Sequence, residues 1–399
     1  MNPRTHRIVS GLVGTVVVLI ASGCADRHNE SVNAASARWM MLRSTQMLAL
    51  AHQQFEAGDL EQAGKSVAEA LSVDQTNAPL LVLAARICLE QGHLERSYHL
   101  LNKAIECDPE LPKAQYYKGL VMERWRKFDA ALICYQHAYG LEADNVAYLL
   151  AVSEMLVAMD RVEEAIEILE SKLNYFEQNV GIREAIGRLH VIQRRFELAV
   201  DYFERAQLLQ PDDLQLREEL AMARIGAGQY LDAAQELHDL CDQLQGDDHR
   251  YLRIALITAY QAAGRLDAAR EVCFDLTRRN PKDTEAWRRL ADLSWEQNDL
   301  TSALTAAGRV CKLAPERPDG YLMAGMVWQK RGNSKRALEL FQVAAQADRT
   351  SAKPSLLQGI TLEQAGQLAA AAEAYREALR REPNDPRARK LLARVEARL

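Results

Sequence analysis

Gly64-Lys65-Ser66 matches the last three residues of a phosphate-binding loop, where backbone N–H groups cradle phosphate and the lysine reaches it. The first glycine of such a loop would stand at position 59, which is Asp59, and no strand-like segment precedes it. The stretch reads as the interior of a helix. His52, His93, His99, His137, His190, His238 and His249 are scattered, with neither a His-x-x-x-His spacing nor a glutamate partner, so no metal site is predicted. Cys88, Cys107, Cys134, Cys241, Cys273 and Cys311 lack Cys-x-x-Cys spacing and stand where Ala, Leu or Val would serve in a helix. They read as free core thiols, because a buried cysteine behaves as a small hydrophobe, with disulfides in an oxidising compartment as the open alternative. No nucleophile–base, paired-carboxylate or glycine-rich cofactor arrangement stands out, so neither catalysis, nor a cofactor, nor a small-molecule substrate is expected.

One cysteine remains. Arg4 and Arg7 form a basic start, Ile8 to Ile20 is mainly apolar, and Ala21-Ser22-Gly23 is a run of small residues before Cys24. This order describes an export signal, and the apolar stretch is short for a spanning helix, which needs about 20 residues. The small-small-Cys ending resembles the lipobox of bacterial lipoproteins, with Ala21 where leucine is more usual. That resemblance implies a signal peptide over residues 1–23 and an acylated Cys24 as the first mature residue. Ordinary cleavage after Ala25 and a retained short anchor stay open. Residues 24–43 then comprise the lipid-attachment residue, a polar tether (DRHNESVNAASAR, residues 26–38) and a segment, 32–43, that matches an N-terminal cap.

The elements around these residues are helices. The 399 residues are rich in Ala, Leu, Glu, Arg and Gln and poor in aromatics (6%), the composition of strong helix formers. The net charge is -6, and removing residues 1–23 with their two arginines gives -8. That balance argues against nucleic acid, whose phosphates require a basic face.

An internal repeat organises the rest. Ala63, Ala131, Ala165, Ala199, Ala233, Ala269, Ala303, Ala337 and Ala371 recur in steps of 34 residues, with Ser97 in the missing slot and one step of 36 between Ala233 and Ala269. Twelve residues before them stand Ala51, Ala85, Gly119, Ser153, Gly187, Ala221, Ala291, Gly325 and Gly359, with Ile257 breaking the series. Four residues after come Tyr135, Leu169, Phe203, Phe341 and Tyr375, and twelve after come Pro109, Pro211, Pro281, Pro315 and Pro383. Small residues let two helices approach closely, and prolines forbid the second helix to continue. Gly58, Gly92, Gly228, Gly264, Gly332 and Gly366 fall between the two helices, where a left-handed backbone ends the first one.

This pattern resembles the tetratricopeptide repeat family. The resemblance implies an all-α fold, a right-handed superhelical solenoid of about ten helical hairpins over residues 44–385, closed by a capping helix over 386–399. In that cap Leu391, Leu392, Val395 and Leu399 would share the apolar face, with arginines opposite. Trp287, Tyr321 and Trp328 are expected to fill space between neighbouring repeats. The longer step falls near Gly246-Asp247-Asp248, where Leu240, Ile257 and Leu276 replace small residues. A change of pitch or mild hinge there, and a merely longer loop, are both open.

In this family the first helices line a concave surface that grips a peptide or helix. Projected onto this chain, that face presents Tyr116, Leu120, Glu123, Arg188, Met222, Asp292, Trp295, Met326 and Gln329. No first helix offers the Lys and Asn four apart of a carboxylate clamp, and no asparagine ladder runs along the array. The expected function is therefore a lipid-anchored scaffold that binds other proteins or peptides in a bacterial cell envelope, with a membrane as its second partner. Members of this layout resemble assembly factors for pili, secretion channels, exported polysaccharide or outer-membrane proteins. The competing expectation is an accessory subunit recruiting substrate for a separately encoded enzyme, such as a glycosyltransferase or protease.

Overall fold

The computed structural model describes residues 39, 42–244 and 249–399. The proposed signal, Cys24, the tether and Gly246-Asp247-Asp248 lie outside the described residues. The chain divides into two compact units, Met1–Leu189 and His190–Leu399. Among the described residues every regular element is a helix and none is a strand. None of these helices is long and apolar enough to cross a membrane.

In the first unit the hairpins pair α1 (42–56) with α2 (Leu60–Val73), α3 (Ala78–Glu90) with α4 (Leu94–Cys107), α5 (Pro112–Arg124) with α6 (Phe128–Leu141), and α7 (Val146–Ala158) with α8 (Val162–Glu170). The unit boundary falls inside α9 (Val180–Ile192), which α10 (Phe196–Gln207) follows. The second unit continues with α11 (Leu214–Gly226) and α12 (Tyr230–Gln243), α13 (Arg250–Ala262) and α14 (Leu266–Arg279), α15 (Thr284–Glu296) and α16 (Leu300–Leu313). It ends with α17 (Asp319–Lys330) and α18 (Ser334–Ala347), α19 (Lys353–Gln364) and α20 (Leu368–Arg381), and the single helix α21 (Pro386–Glu396).

The repeat alanines are the contact points. Ala63, Ala131, Ala165, Ala199, Ala233, Ala269, Ala303, Ala337 and Ala371 are all fully buried. Ser97 keeps the slot small and satisfies its own hydroxyl, donating to the Ala85 carbonyl at 2.9 Å. An alanine buries little apolar area, so its value lies in letting two helices close and larger side chains interdigitate around it. Size is shared across the pair. Where the second helix brings an aromatic ring, the first helix has glycine: a Cβ at Gly119, Gly325 or Gly359 would stand 2.4–2.6 Å from Tyr135, Phe341 or Tyr375. At Ile257 the relation inverts, and fully buried Cys273 yields the space that isoleucine takes.

The left-handed position ending each first helix is glycine in six hairpins, and Arg126, Asp160, Arg194 and Asn298 adopt it in the other four, with φ of 58–61°. Side-chain caps start many helices, as where Asp283 accepts from the Ala286 N–H at 3.0 Å. The helices flanking the insertion share a core in which Leu237, Leu240 and Leu252 are fully buried. A second irregularity escaped the period: α8 stops at Glu170, and residues 171–179 run through turns that expose Tyr175.

Two expectations need correction. Leu399 is 68% exposed, because α21 ends at Glu396 and leaves Ala388 and Val395 as its buried residues, with Leu391 and Leu392 beside them. Cys107 is exposed at the end of α4, while Cys88, Cys134 and Cys273 are buried and Cys241 and Cys311 half-buried. Burial pushes the Cys273 thiol up to about 12 and the Cys311 thiol up to about 11.

Candidate functional site

All nine groove residues chosen from the sequence lie on first helices, and the structure sorts them. Asp292, Trp295 and Met326 converge on one cavity of about 380 Å³, entirely within the second unit. Its wall adds Gln261, Arg288, Glu296, Met323 and Lys353. Register explains the convergence: Asp292 and Met326 each follow a small residue, Ala291 and Gly325, and so take the same place on α15 and α17.

The cavity is lined by apolar and charged side chains together. Arg288 donates to Glu285 at 2.7 Å and to Asp292 at 2.6 Å, and these two carboxylates hold the guanidinium above its ordinary range. Asp292 nonetheless titrates above the usual aspartate range, because burial outweighs the arginine beside it. Gln261 donates to Glu296 at 3.0 Å, and the Lys330 ammonium lies 4.7 Å from the centre of the Trp295 ring. An aromatic and two methionines among charged side chains can receive an apolar side chain and fix its orientation.

Tyr116 and Glu123 form a different group in the first unit. The Tyr135 hydroxyl donates to Glu123 at 2.7 Å, and the Tyr116 ring lies 5.4 Å from Tyr135 and 5.1 Å from Tyr148. Burial raises the Tyr116 and Tyr135 hydroxyls above the ordinary phenol range, and the charges of Glu123 and Glu154 add to it. Glu154 itself is raised, first by burial and then by Glu123.

The remaining four do not gather. Leu120 packs into the core around Leu101 and Val121, so it stabilises the hairpin more than it lines a groove. Arg188 is exposed and reaches back to Glu184 at 3.0 Å. Met222 is 41% exposed, and Gln329 donates to Gln364 of the next hairpin at 3.0 Å. Sequence reasoning missed Glu154, Arg288 and Lys353. Glu154 follows Ser153 as Asp292 follows Ala291, so the register that found one would have found the other.

Other sequence candidates resolve simply. Lys65 sits inside α2 and pairs with Glu61 at 2.6 Å, in place of any phosphate loop. Among the described residues no group of three or more His, Cys, Asp or Glu side chains could hold a metal ion.

Family models described as tetratricopeptide repeat match residues 54–120, 184–248, 254–318, 295–352 and 352–395. The cellulose synthase operon protein C of Pseudomonas fluorescens (strain SBW25) is 32% identical over 411 residues, covering 86% of this chain and 31% of that protein. The chain thus spans about a third of that relative's length. Among solved structures, pilF of Pseudomonas aeruginosa is similar with a TM-score of 0.47 and 14% identity, over 56% of this chain and 99% of that one. Yeast Tom70 is similar with a TM-score of 0.39 and 12% identity, over 89% and 95%.

Proposed function

Since the chain belongs to the tetratricopeptide repeat family, we propose that its first-helix face binds a peptide or helix of another protein, as a scaffold without catalytic activity of its own. The observation that carries this is the cavity around Asp292, Trp295 and Met326, where an aromatic and methionines stand among charged side chains. A photo-cross-linker placed at Met326 captures the partner in the cell, one placed at exposed Thr305 on a second helix does not, and Trp295→Ala abolishes the first capture. Equal capture from both helix faces removes the groove reading.

The wider setting is part of the same proposal. Cys24 carries the lipid that holds the array on the outer side of a bacterial membrane, through the polar tether at 26–38, and the ten hairpins at 44–385 recruit subunits of a larger envelope machine. The basic, apolar and small-residue order of residues 1–23 supports the anchor. The likeness to a relative named for a cellulose synthase operon favours a machine that makes or exports polysaccharide over a pilus or secretion channel. The same likeness supports the second reading, an accessory arm that delivers substrate to a separately encoded glycosyltransferase. Incorporation of a palmitate analogue by the full chain, lost in Cys24→Ala, tests the anchor; labelling that survives the substitution refutes it.

A further inference from the structure

The arrangement of charges between successive first helices names a chemistry for one partner, and it rests on the groove reading above. By register, each junction pairs the residue after one small position with the residue four places after the preceding small position, and at the two ends of the array these residues meet. At the first junction this puts the Arg86 guanidinium 4.4 Å from the centre of the Phe55 ring, with Glu56 3.7 Å away. At the last junction it puts Arg394 on Glu363 at 2.8 Å, and Arg398, just beyond the end of α21, joins the same carboxylate at 3.1 Å. At the third junction the pair is Glu123 and Glu154. It is the one junction of the array where both residues carry the same charge.

The third and last junctions otherwise share their parts. Tyr135 and Tyr375 occupy the same place on their second helices and donate to Glu123 and Glu363 at 2.7 Å and 2.9 Å. Glu363 then receives two guanidinium groups, and its side chain is only 9% exposed beneath them. Glu154 stands where Arg394 stands, so Glu123 receives none. Among the described residues no cation lies within ion-pair distance of either Glu123 or Glu154.

We propose that Glu123 and Glu154, with the rings of Tyr116 and Tyr135, form a docking site for an arginine side chain of a partner polypeptide. The occupied copy at Glu363 shows the ligand this Tyr–Glu pair takes. A guanidinium suits the site better than an ammonium, because its planar fork can bond two carboxylates and lie against a phenol ring together. Its arrival relieves the repulsion between the glutamates, so the free array holds this junction in a less favourable electrostatic state than the bound one.

The test uses the full chain and a short alanine-based peptide carrying two arginines four residues apart, the spacing of Arg394 and Arg398, beside the same peptide with citrulline at both places. Carboxyl and ring NMR signals of Glu123, Glu154, Tyr116 and Tyr135 report binding. The arginine peptide shifts them, the citrulline peptide binds about tenfold or more weakly, and Glu154→Arg loses the site while raising Tm. The rise in Tm separates lost binding from lost folding, and Glu154→Gln gives a second folded variant that binds weakly. Equal affinity of the citrulline or a lysine version overturns the proposal, as does arginine binding retained by Glu154→Arg. Failure is distinguishable from failure of the groove reading: a natural partner still captured at Met326 but indifferent to Glu154→Arg rejects this site and leaves the groove intact.

Discussion

Glu123 and Glu363 begin from one local structure and finish in opposite electrostatic states. Each lies four residues after a glycine, and each accepts a hydrogen bond from a tyrosine that packs into the space the glycine leaves. Near the C-terminus Arg394 of the next helix and Arg398 just after it reach the carboxylate, which becomes the latch of the capping helix. In the first unit the next helix presents Glu154, and a like-charged pair stays open to the groove. One packing unit thus ends with its carboxylate paired or unpaired, according to the charges its neighbour presents. A repeat array permits this because each hairpin depends energetically on its immediate neighbours.

The largest expected effect removes the unit from either region. Gly119→Val and Gly359→Val each force a side chain into a ring that is almost fully buried, with the Cβ alone 2.4–2.6 Å from Tyr135 or Tyr375. Valine's helix propensity recovers only a few tenths of a kcal/mol over glycine, whereas overpacking costs about 3 kcal/mol. Thermal unfolding followed by circular dichroism should show both losses. Gly119→Val should broaden the transition, because it splits the first unit internally, while Gly359→Val should mainly release α20 and α21. Equal and uniform loss across the array, read by hydrogen exchange, would show that the two units of packing are not local.

The hairpin array and its register were legible because Gly119, Ala131 and Tyr135 answer one steric problem that recurs with a fixed period. What stayed hidden depended on pairs far apart in sequence. Arg394 reads as one of the solvent-facing arginines of the cap until the last junction brings it to Glu363. Glu154 reads as one more surface charge until the same junction is found with the sign reversed. Leu120 shows the converse error: its register belongs to the groove, yet the neighbouring core absorbs it. The early end of α8 left no trace because residues 171–179 keep the count of 34 while changing the backbone.

Acid should separate the two regions, in opposite directions. Hydrogen bonds from Arg394, and further charges of Arg394 and Arg398, hold the Glu363 carboxyl below its ordinary value, together with the Tyr375 hydroxyl. Its contribution is present above the ordinary glutamate pKa of about 4.3 and is lost as pH falls through the lower folded value. Glu154 is raised by burial and by Glu123 on α5, and its charge in turn raises the Tyr116 and Tyr135 hydroxyls. A raised carboxyl favours folding below the ordinary value and loses that advantage as pH rises through the folded one. From neutral pH down to about 4, protection in α5 and α7 should hold or improve, and only below about 4 should amide protection in α21 fall. Glu363→Gln should abolish the acid response of α21, and an unchanged response would mean that another group latches the cap.

The smallest effect measures what the tyrosine hydroxyl contributes once the ring is kept. Phe341 occupies the same place as Tyr135 and Tyr375 and is fully buried, so phenylalanine fits this position without repacking. Tyr135→Phe and Tyr375→Phe therefore each delete one hydrogen bond to a carboxylate, at a cost of about 1 kcal/mol. The two losses should differ. Glu363 keeps Arg394 and Arg398, whereas Glu123 loses the one side-chain donor it has among the described residues and stays beside Glu154. Urea midpoints should thus fall further for Tyr135→Phe than for Tyr375→Phe, and adding Glu154→Arg should narrow the gap, because the new guanidinium supplies what the lost hydroxyl did. If the gap persists in that double variant, the tyrosine acts through packing alone, and the likeness between the two junctions ends at the ring.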